Sequence, residues 1–248
     1  MEKSIQQMLI ELNISFYTEF AESFSATRGR LQPGVISITA DIKGISKILD
    51  LGCGNGQFLF NLARNRFQGT YVGVDFSIDL LEIARELNKP LRNIDMKFEQ
   101  FELSNPDWSQ QFEPDSFDLI TSFATLHHIP GKALHLQFLK QVLNLLKPDG
   151  KFLFSVWQFL NSERLQKRVL PWETVGLNQN DLEPGDTLLD WRAEHTHKQI
   201  GHRYVHLFNE LELTDLAEKS GFKCLSQFYS DGREGNLALY QEWVKLPH

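Results

Sequence analysis

Between residues 3 and 25, apolar side chains recur at spacings of three and four: Ile5, Met8, Leu9 and Leu12, then Tyr17, Phe20, Ala21 and Phe24. One face of an α-helix repeats at that interval, so the spacing predicts one or two amphipathic helices. Ser25-Ala-Thr-Arg28-Gly29-Arg30 and Pro33-Gly34 then mark a loop. From residue 46 the period changes. The apolar runs "KILDL", "TYVGVDF", "DMKFEQF", "FDLITSF" and "KFLFSVW" read as strands. Helical patterns separate them at 56–64, at 78–87 behind Ser77 as N-cap, and up to Leu146, where Lys147-Pro148-Asp149-Gly150 reads as a turn. Strands alternating with helices predict βαβ units and a parallel sheet covered on both faces.

The alternation breaks between 158 and 202, a stretch holding Pro171, Pro184-Gly185, Trp172 and Trp191. A helix is expected at 210–220, followed by "FKCLSQFY" and "NLALYQEWVKL" as an antiparallel hairpin around "SDGREG". No internal repeat is present. The expected organisation is one α/β domain over 1–248: a helical lid at 1–34, a core at 46–157, an insertion at 158–208, and a final helix and hairpin at 209–248.

Composition narrows the class without naming it. The 248 residues are 42% hydrophobic and 23% charged, as in an ordinary globular chain. No window reaches 18 uninterrupted apolar residues and no basic, apolar leader opens the chain, so neither a membrane span nor a signal peptide is expected. Cys53 and Cys224 supply neither a disulfide framework nor metal spacing. A cytoplasmic location and no metal site are the expectations. The net charge of −7 argues against general duplex binding, although it can conceal a local basic groove.

Candidate chemistry begins at "ILDLGCGNGQF", residues 48–58. The dinucleotide fingerprint G-x-G-x-x-G is not met, because Gln57 occupies its third position. The backbone of Gly52 and Gly54 can still press against a ligand at the end of the first strand. Asp50 precedes the loop, Asp75 ends the second strand where it can take ribose hydroxyls, and Glu102 follows the third, placed to accept from an exocyclic amine. Three acids around one cavity repel a pyrophosphate and suit an ammonium, a ribose and an aminopurine, which describes S-adenosylmethionine.

The pieces "ILDLGCGNGQF", "YVGVDFS", "FEQFEL", "DSFDLITSFATLHHI" and "LLKPDGKFLFSV" occur in the order found in the class I S-adenosylmethionine-dependent methyltransferases, which this chain resembles over about 46–157. The resemblance implies a doubly wound, mostly parallel seven-stranded sheet with an antiparallel C-terminal hairpin. It also implies that Phe76 and Phe101 flank the adenine and that the Ser122–Phe123 backbone lies beside the methionine portion. His127 and His128 of "LHHI" sit past the fourth strand, where a base could act or a substrate could be touched.

Outside the core, "EFAESFSATR", "FSVW", "PGDTLLDW" and "RYVHLFNELELTDLAEKSGF" resemble the transfer-RNA wobble 5-carboxymethyluridine methyltransferases. That resemblance implies an anticodon loop as partner and a carboxylate acceptor, which is anionic and needs no base. It also implies that a small zinc-binding activator protein can be required. Candidates to hold the acceptor are Arg28, Trp157, Arg203, Tyr204 and His206, with Arg203 anchoring the carboxylate. Arg28 could equally clasp the cofactor's carboxylate, with Tyr17 closing over it. Arg30, Arg164, Lys167, Arg168, Arg192 and Lys198 are further cations, and Trp172 and Trp191 further stacking surfaces. The alternatives are a small-molecule acceptor, a non-catalytic cofactor- or partner-binding module and, last, a nicotinamide-dependent oxidoreductase.

Overall fold

A computed structural model describes residues 1–40, 42, 45–89, 91–192 and 200–246. The helices are α1 (Lys3–Glu19), α2 (Ala21–Ala26), α3 (Pro33–Ile38), α4 (Gln57–Arg64), α5 (Ile78–Leu87), α6 (Lys132–Leu145), α7 (Glu163–Gln166) and α8 (Glu210–Ser220). The strands are β1 (Lys47–Leu51), β2 (Gly69–Asp75), β3 (Ile94–Gln100), β4 (Phe117–Phe123), β5 (Leu146–Trp157), β6 (Val169–Leu170), β7 (Asp186–Arg192), β8 (Ile200–His206), β9 (Phe222–Ser230) and β10 (Ala238–Lys245).

Seven strands form one sheet in the order β3-β2-β1-β4-β5-β10-β9. β1 pairs in parallel with both β2 and β4, whereas β10 runs antiparallel between β5 and β9. This is the doubly wound sheet with an antiparallel C-terminal hairpin expected from the sequence.

β1 shows why the sheet is covered on both faces. Successive side chains alternate between faces. Leu49 and Leu51 enter the core shared with Phe138, Leu139 and Val142 of α6 and Leu213 and Leu216 of α8. Ile48 enters the opposite core, with Phe58, Leu59 and Leu62 of α4 and Leu81 and Ala84 of α5. The order of strands reverses on either side of β1, which opens a crevice at the carboxyl ends of β1 and β4.

Local chemistry sets the helix ends. Ser77 caps α5 by accepting the Leu80 N–H, as its position in the sequence predicts. Three segments differ from expectation. Pro33 opens α3 as its first residue instead of marking a loop, a position where its missing N–H costs nothing. The Lys147–Gly150 turn is absorbed into β5, and the pairing with β4 shifts register between Phe117 and Leu119 to accommodate it. The 158–208 insertion, for which the sequence offered no elements, contains α7 and an antiparallel three-stranded sheet, β6-β7-β8.

The start of β1 is held by a carboxylate on β4. Asp118 Oδ2 accepts from the Ser46 N–H at 3.1 Å, the Ser46 hydroxyl at 2.7 Å and the Lys47 N–H at 2.8 Å, while Oδ1 accepts from Lys147 Nζ at 2.5 Å. Burial opposes its ionisation, but Lys147, Ser46 and the two backbone donors outweigh it and hold its pKa at about 2. Asp118→Asn should therefore destabilise the protein by about 1–3 kcal/mol at neutral pH. The carboxylate's contribution is complete above its unfolded pKa of about 3.9 and disappears as pH falls through the folded value. Urea denaturation of parent and variant should thus show a gap that is constant at pH 5–7 and closes toward pH 2.

Candidate active site

Loops at the carboxyl ends of β1, β2 and β4 surround a cavity of about 270 Å3, walled from above by Asn13 and Tyr17 of α1, by the 28–32 segment and by Arg203 of β8. Gly52 and Gly54 adopt φ of 76° and 53°, a left-handed conformation that side chains disfavour. A Cβ on Gly52 would lie 2.0 Å from Thr125 Oγ1, so this glycine lets the loops after β1 and β4 touch. A Cβ on Gly54 would meet nothing within 4 Å, which leaves bare backbone beside open space on the cavity wall.

Buried carboxylates set the shape of that loop. Asp75 Oδ2 accepts from the Gly54 N–H and Oδ1 from the Ser77 N–H, both at 2.9 Å. Burial raises its pKa to about 6 against the pull of those two amides, and Glu102 adds repulsion. Asp50 accepts from the Tyr71 hydroxyl at 2.6 Å and from Thr121 Oγ1 at 2.7 Å, so it ties β1 to both neighbours, and burial raises it too to about 6. Glu102 Oε1 accepts from the Ser104 N–H at 3.0 Å and from its hydroxyl at 2.5 Å.

Both histidines of "LHHI" line the cavity, and both have their basic nitrogen engaged. His127 Nδ1 accepts from the Trp157 N–H at 3.2 Å, which leaves the proton on Nε2. His128 Nδ1 lies 3.1 Å from the Tyr204 carbonyl and must donate to it, so Nε2 accepts from the Tyr17 hydroxyl at 2.8 Å. Burial and neighbouring cations keep both neutral: His127 is pushed well below its usual range and His128 to about 3. Neither has a lone pair ready to take a proton.

Arg203 is the unusual group. It is 3% exposed, and its guanidinium lies over Trp157 at 4.7 Å, Phe16 at 5.4 Å and Trp191 at 5.4 Å. Tyr17 lies beside it, its Nε has no partner, and no carboxylate among the described residues pairs with it. Burial lowers its pKa, with further repulsion from Arg28 and Arg168, yet an arginine stays charged. A buried cation caged by aromatic faces, opening on a cavity, is arranged to receive an anion.

The structure brings together Tyr17, Arg28, Asp50, Gly52, Gly54, Asp75, Phe76, Glu102, Phe123, His127, His128, Trp157 and Arg203 around this cavity. Arg30 joins them. Other expectations are corrected by placement. Phe101 is not among the residues lining the cavity; it is half-buried, packed against the α6–α8 core and edge-on to Phe112. Tyr204 is fully buried and donates to Asp186 at 2.8 Å. His206 is clamped between Asp186 at 2.7 Å and Glu212 at 3.0 Å, and these carboxylates raise its pKa to about 9 against the opposing effect of burial. Neither reaches the cavity wall, because alternate residues of β8 face opposite sides and Arg203 occupies the cavity side. Trp172 is buried against Tyr204, Arg168 turns toward Asp190 at 4.0 Å, and Arg164 and Lys167 are exposed. Lys198 lies outside the described residues, and Arg192 is described only in its backbone.

Sequence reasoning missed Asn13 and Phe16. Asn13 is a buried polar residue on the apolar stripe of α1, and that mismatch was its signal. Its Nδ2 donates to the His128 and Tyr204 carbonyls at 3.1 and 3.2 Å, and its Oδ1 accepts from the Tyr204 N–H at 2.8 Å. At the cavity floor, Asp231 accepts from the Gly34 N–H at 2.9 Å and from the Tyr240 hydroxyl at 2.5 Å. The expectation of no metal site also overlooked His135, His206 and Glu212, which converge from α6, β8 and α8.

Comparison with known proteins fits this geometry. The family description "Methyltransferase domain" matches residues 42–206. "Putative methyltransferase ECU09_1500" of Encephalitozoon cuniculi is 31% identical, over 85% of this chain and 86% of its own. The tRNA (carboxymethyluridine(34)-5-O)-methyltransferase of Schizosaccharomyces pombe is 28% identical, over 86% of this chain and 89% of its own. Among solved structures, a chain from the complex between the Haloferax volcanii Trm112 methyltransferase activator and a methyltransferase described as putative shares the fold, with a TM-score of 0.65 at 16% identity over 94% of this chain and 97% of that one. No helix among the described residues is long and apolar enough to cross a membrane.

Two substitutions separate scaffold from function. Asn13→Ala takes the Asn13 side chain away from the His128 carbonyl and the Tyr204 N–H, the Tyr204 carbonyl keeping His128 Nδ1, and should cost about 1–3 kcal/mol in thermal or urea denaturation. Arg203→Met replaces the cation–aromatic contacts of the cage with sulfur–aromatic ones while removing a desolvated charge, and should leave stability within about 1 kcal/mol of the parent.

Proposed function

The chain belongs to the methyltransferase domain family and is an S-adenosylmethionine-dependent methyltransferase, and we propose that its acceptor is the carboxylate of a 5-carboxymethyluridine at the wobble position of transfer RNA. The observation that carries this reading is Arg203, a buried guanidinium with no carboxylate partner on the cavity wall. An acceptor carboxylate completes its charge and its hydrogen bonding, in the planar geometry a guanidinium fits best. The occupied histidines support the same reading. An alcohol or a protonated amine must lose a proton on methylation, whereas a carboxylate is already ionised at neutral pH. The curated relative from Schizosaccharomyces pombe bears the name of this reaction.

When bound, S-adenosylmethionine supplies a methyl group on a positively charged sulfur. Transfer in line forms one C–O bond, breaks the C–S bond with its electron pair leaving on sulfur, and moves no proton. The protein's work is then alignment, exclusion of water and charge matching. Gly54, Asp75, Phe76 and Glu102 line the cavity together and would hold the cofactor, the Asp75 carboxylate taking ribose hydroxyls, Glu102 the amine of the base and Phe76 a ring face. Tyr17, hydrogen-bonded to His128, lines the same cavity as Arg203 and would help to exclude water there.

The deciding experiment is methyl incorporation from labelled S-adenosylmethionine into transfer RNA containing 5-carboxymethyluridine, with and without a small zinc-binding activator protein. Label in the RNA, released by mild alkali as an ester is, is expected. No label under either condition, with S-adenosylhomocysteine binding intact, overturns the reading in favour of a small carboxylic acid acceptor. Arg203→Met should abolish transfer while sparing S-adenosylhomocysteine affinity. Asp75→Asn should weaken that affinity by about 1–3 kcal/mol. Because the Asp75 carboxyl titrates near 6, the parent's affinity should fall as pH drops through that value, and calorimetry on the variant should lack that dependence.

A further inference from the structure

Away from the cavity, His135, His206 and Glu212 offer one ligand atom each, all within 4.8 Å of one another. His135 is 0% exposed, and its Nε2 donates to the Ile129 carbonyl at 2.6 Å. That bond puts the proton on Nε2 and leaves a lone pair on Nδ1, which has no partner. An orphaned nitrogen in a fully buried side chain is costly unless something else binds it. His206 Nδ1 lies 2.7 Å from Asp186 Oδ1, and that same oxygen accepts from the Tyr204 hydroxyl at 2.8 Å. Its other nitrogen, Nε2, points to Glu212 Oε1 at 3.0 Å.

Metal-binding histidines ordinarily donate their second ring nitrogen to a carbonyl or a carboxylate, which fixes ring and tautomer. Both arrangements are present here, one on each histidine. We infer that His135 Nδ1, His206 Nε2 and the Glu212 carboxylate form a zinc site that ties α6, β8 and α8 together, with a water completing the tetrahedron. Two imidazoles and a carboxylate are a donor set suited to Zn2+, with bonds of about 2.0–2.2 Å. Tetrahedral ligand atoms then stand roughly 3.3–3.6 Å apart; His206 Nε2 and Glu212 Oε1 are already 3.0 Å apart and all three ligand atoms lie within 4.8 Å of one another.

Each ring nitrogen that binds the ion must present a lone pair, and the second nitrogen of each histidine is already held by the Ile129 carbonyl or the Asp186 carboxylate. Lys132 on α6 and Asp186 on β7 also face this cluster.

The test strips the full chain with a chelator, dialyses it against Zn2+ or Co2+, and measures retained metal by mass spectrometry. About one equivalent per chain is expected, with the visible bands of tetrahedral Co2+ and a higher melting temperature in the loaded protein. His135→Leu and Glu212→Gln should each lower retention at least tenfold. Glu212 is half-buried and its variant should fold, and S-adenosylhomocysteine binding, unchanged in both variants, verifies the fold independently of the acceptor. Retention well below one equivalent, or equal retention in parent and variants, overturns the site and leaves a protonated His206 clamped by two carboxylates.

Discussion

The loop between β1 and α4 has its shape because a carboxylate at the end of β2 stands where the backbone needs an acceptor. Asp75 takes one N–H from Gly54 and another from Ser77, so one side chain fixes both the turn after β1 and the entry into α5. Asp50, one strand over, is tied to Tyr71 and Thr121 and keeps the three central strands in step beneath that turn. With these two groups in place, the crevice that the reversal of strand order creates becomes a cavity with defined walls. Helix positions, the approach of Thr125 to Gly52 and the bare backbone at Gly54 all follow from this arrangement.

The upper wall follows a different rule. α1 presents Asn13, Phe16 and Tyr17 to the cavity and to β8, so a helix from the start of the chain completes a site built by the sheet. The wall contains neutral histidines and a caged cation. That combination offers charge complementarity without a free side-chain base, which is the setting that the proposed carboxylate acceptor needs. The acidic surface of the whole chain is compatible with this, because the relevant positive charge is interior and local.

The sheet and the cofactor loop were legible because both are written in short, contiguous signals. Apolar runs of strand length, Ser77 as a cap and the glycines after β1 each act within a few residues of themselves. Signals that act across the chain were not legible. Pro148 reads as a turn until the register shift against β4 absorbs it. The 158–208 segment offers no elements in sequence because its three strands pair with one another only after the chain has passed Pro171 and Pro184. Tyr204 and His206 flank Arg203 and share its motif, yet strand alternation sends them to the other face. Phe101 sits next to Glu102, and nothing in its own neighbourhood announces that Phe112 would draw it against the core. The group at His135, His206 and Glu212 joins three elements and leaves no local spacing to find.

The aromatic cage has an entropic consequence. An arginine side chain that becomes ordered only when its ligand arrives gives up about 1.5–2 kcal/mol of rotamer freedom at that moment. Arg203 is already immobilised between Phe16, Trp157 and Trp191, with Tyr17 against its guanidinium, so that loss falls on folding. The proposed acceptor carboxylate would meet a receptor whose side-chain geometry is already fixed, so less of the free energy of their contact would be spent on ordering it. The protein carries the disorder cost once, in its own stability, and every turnover is spared it.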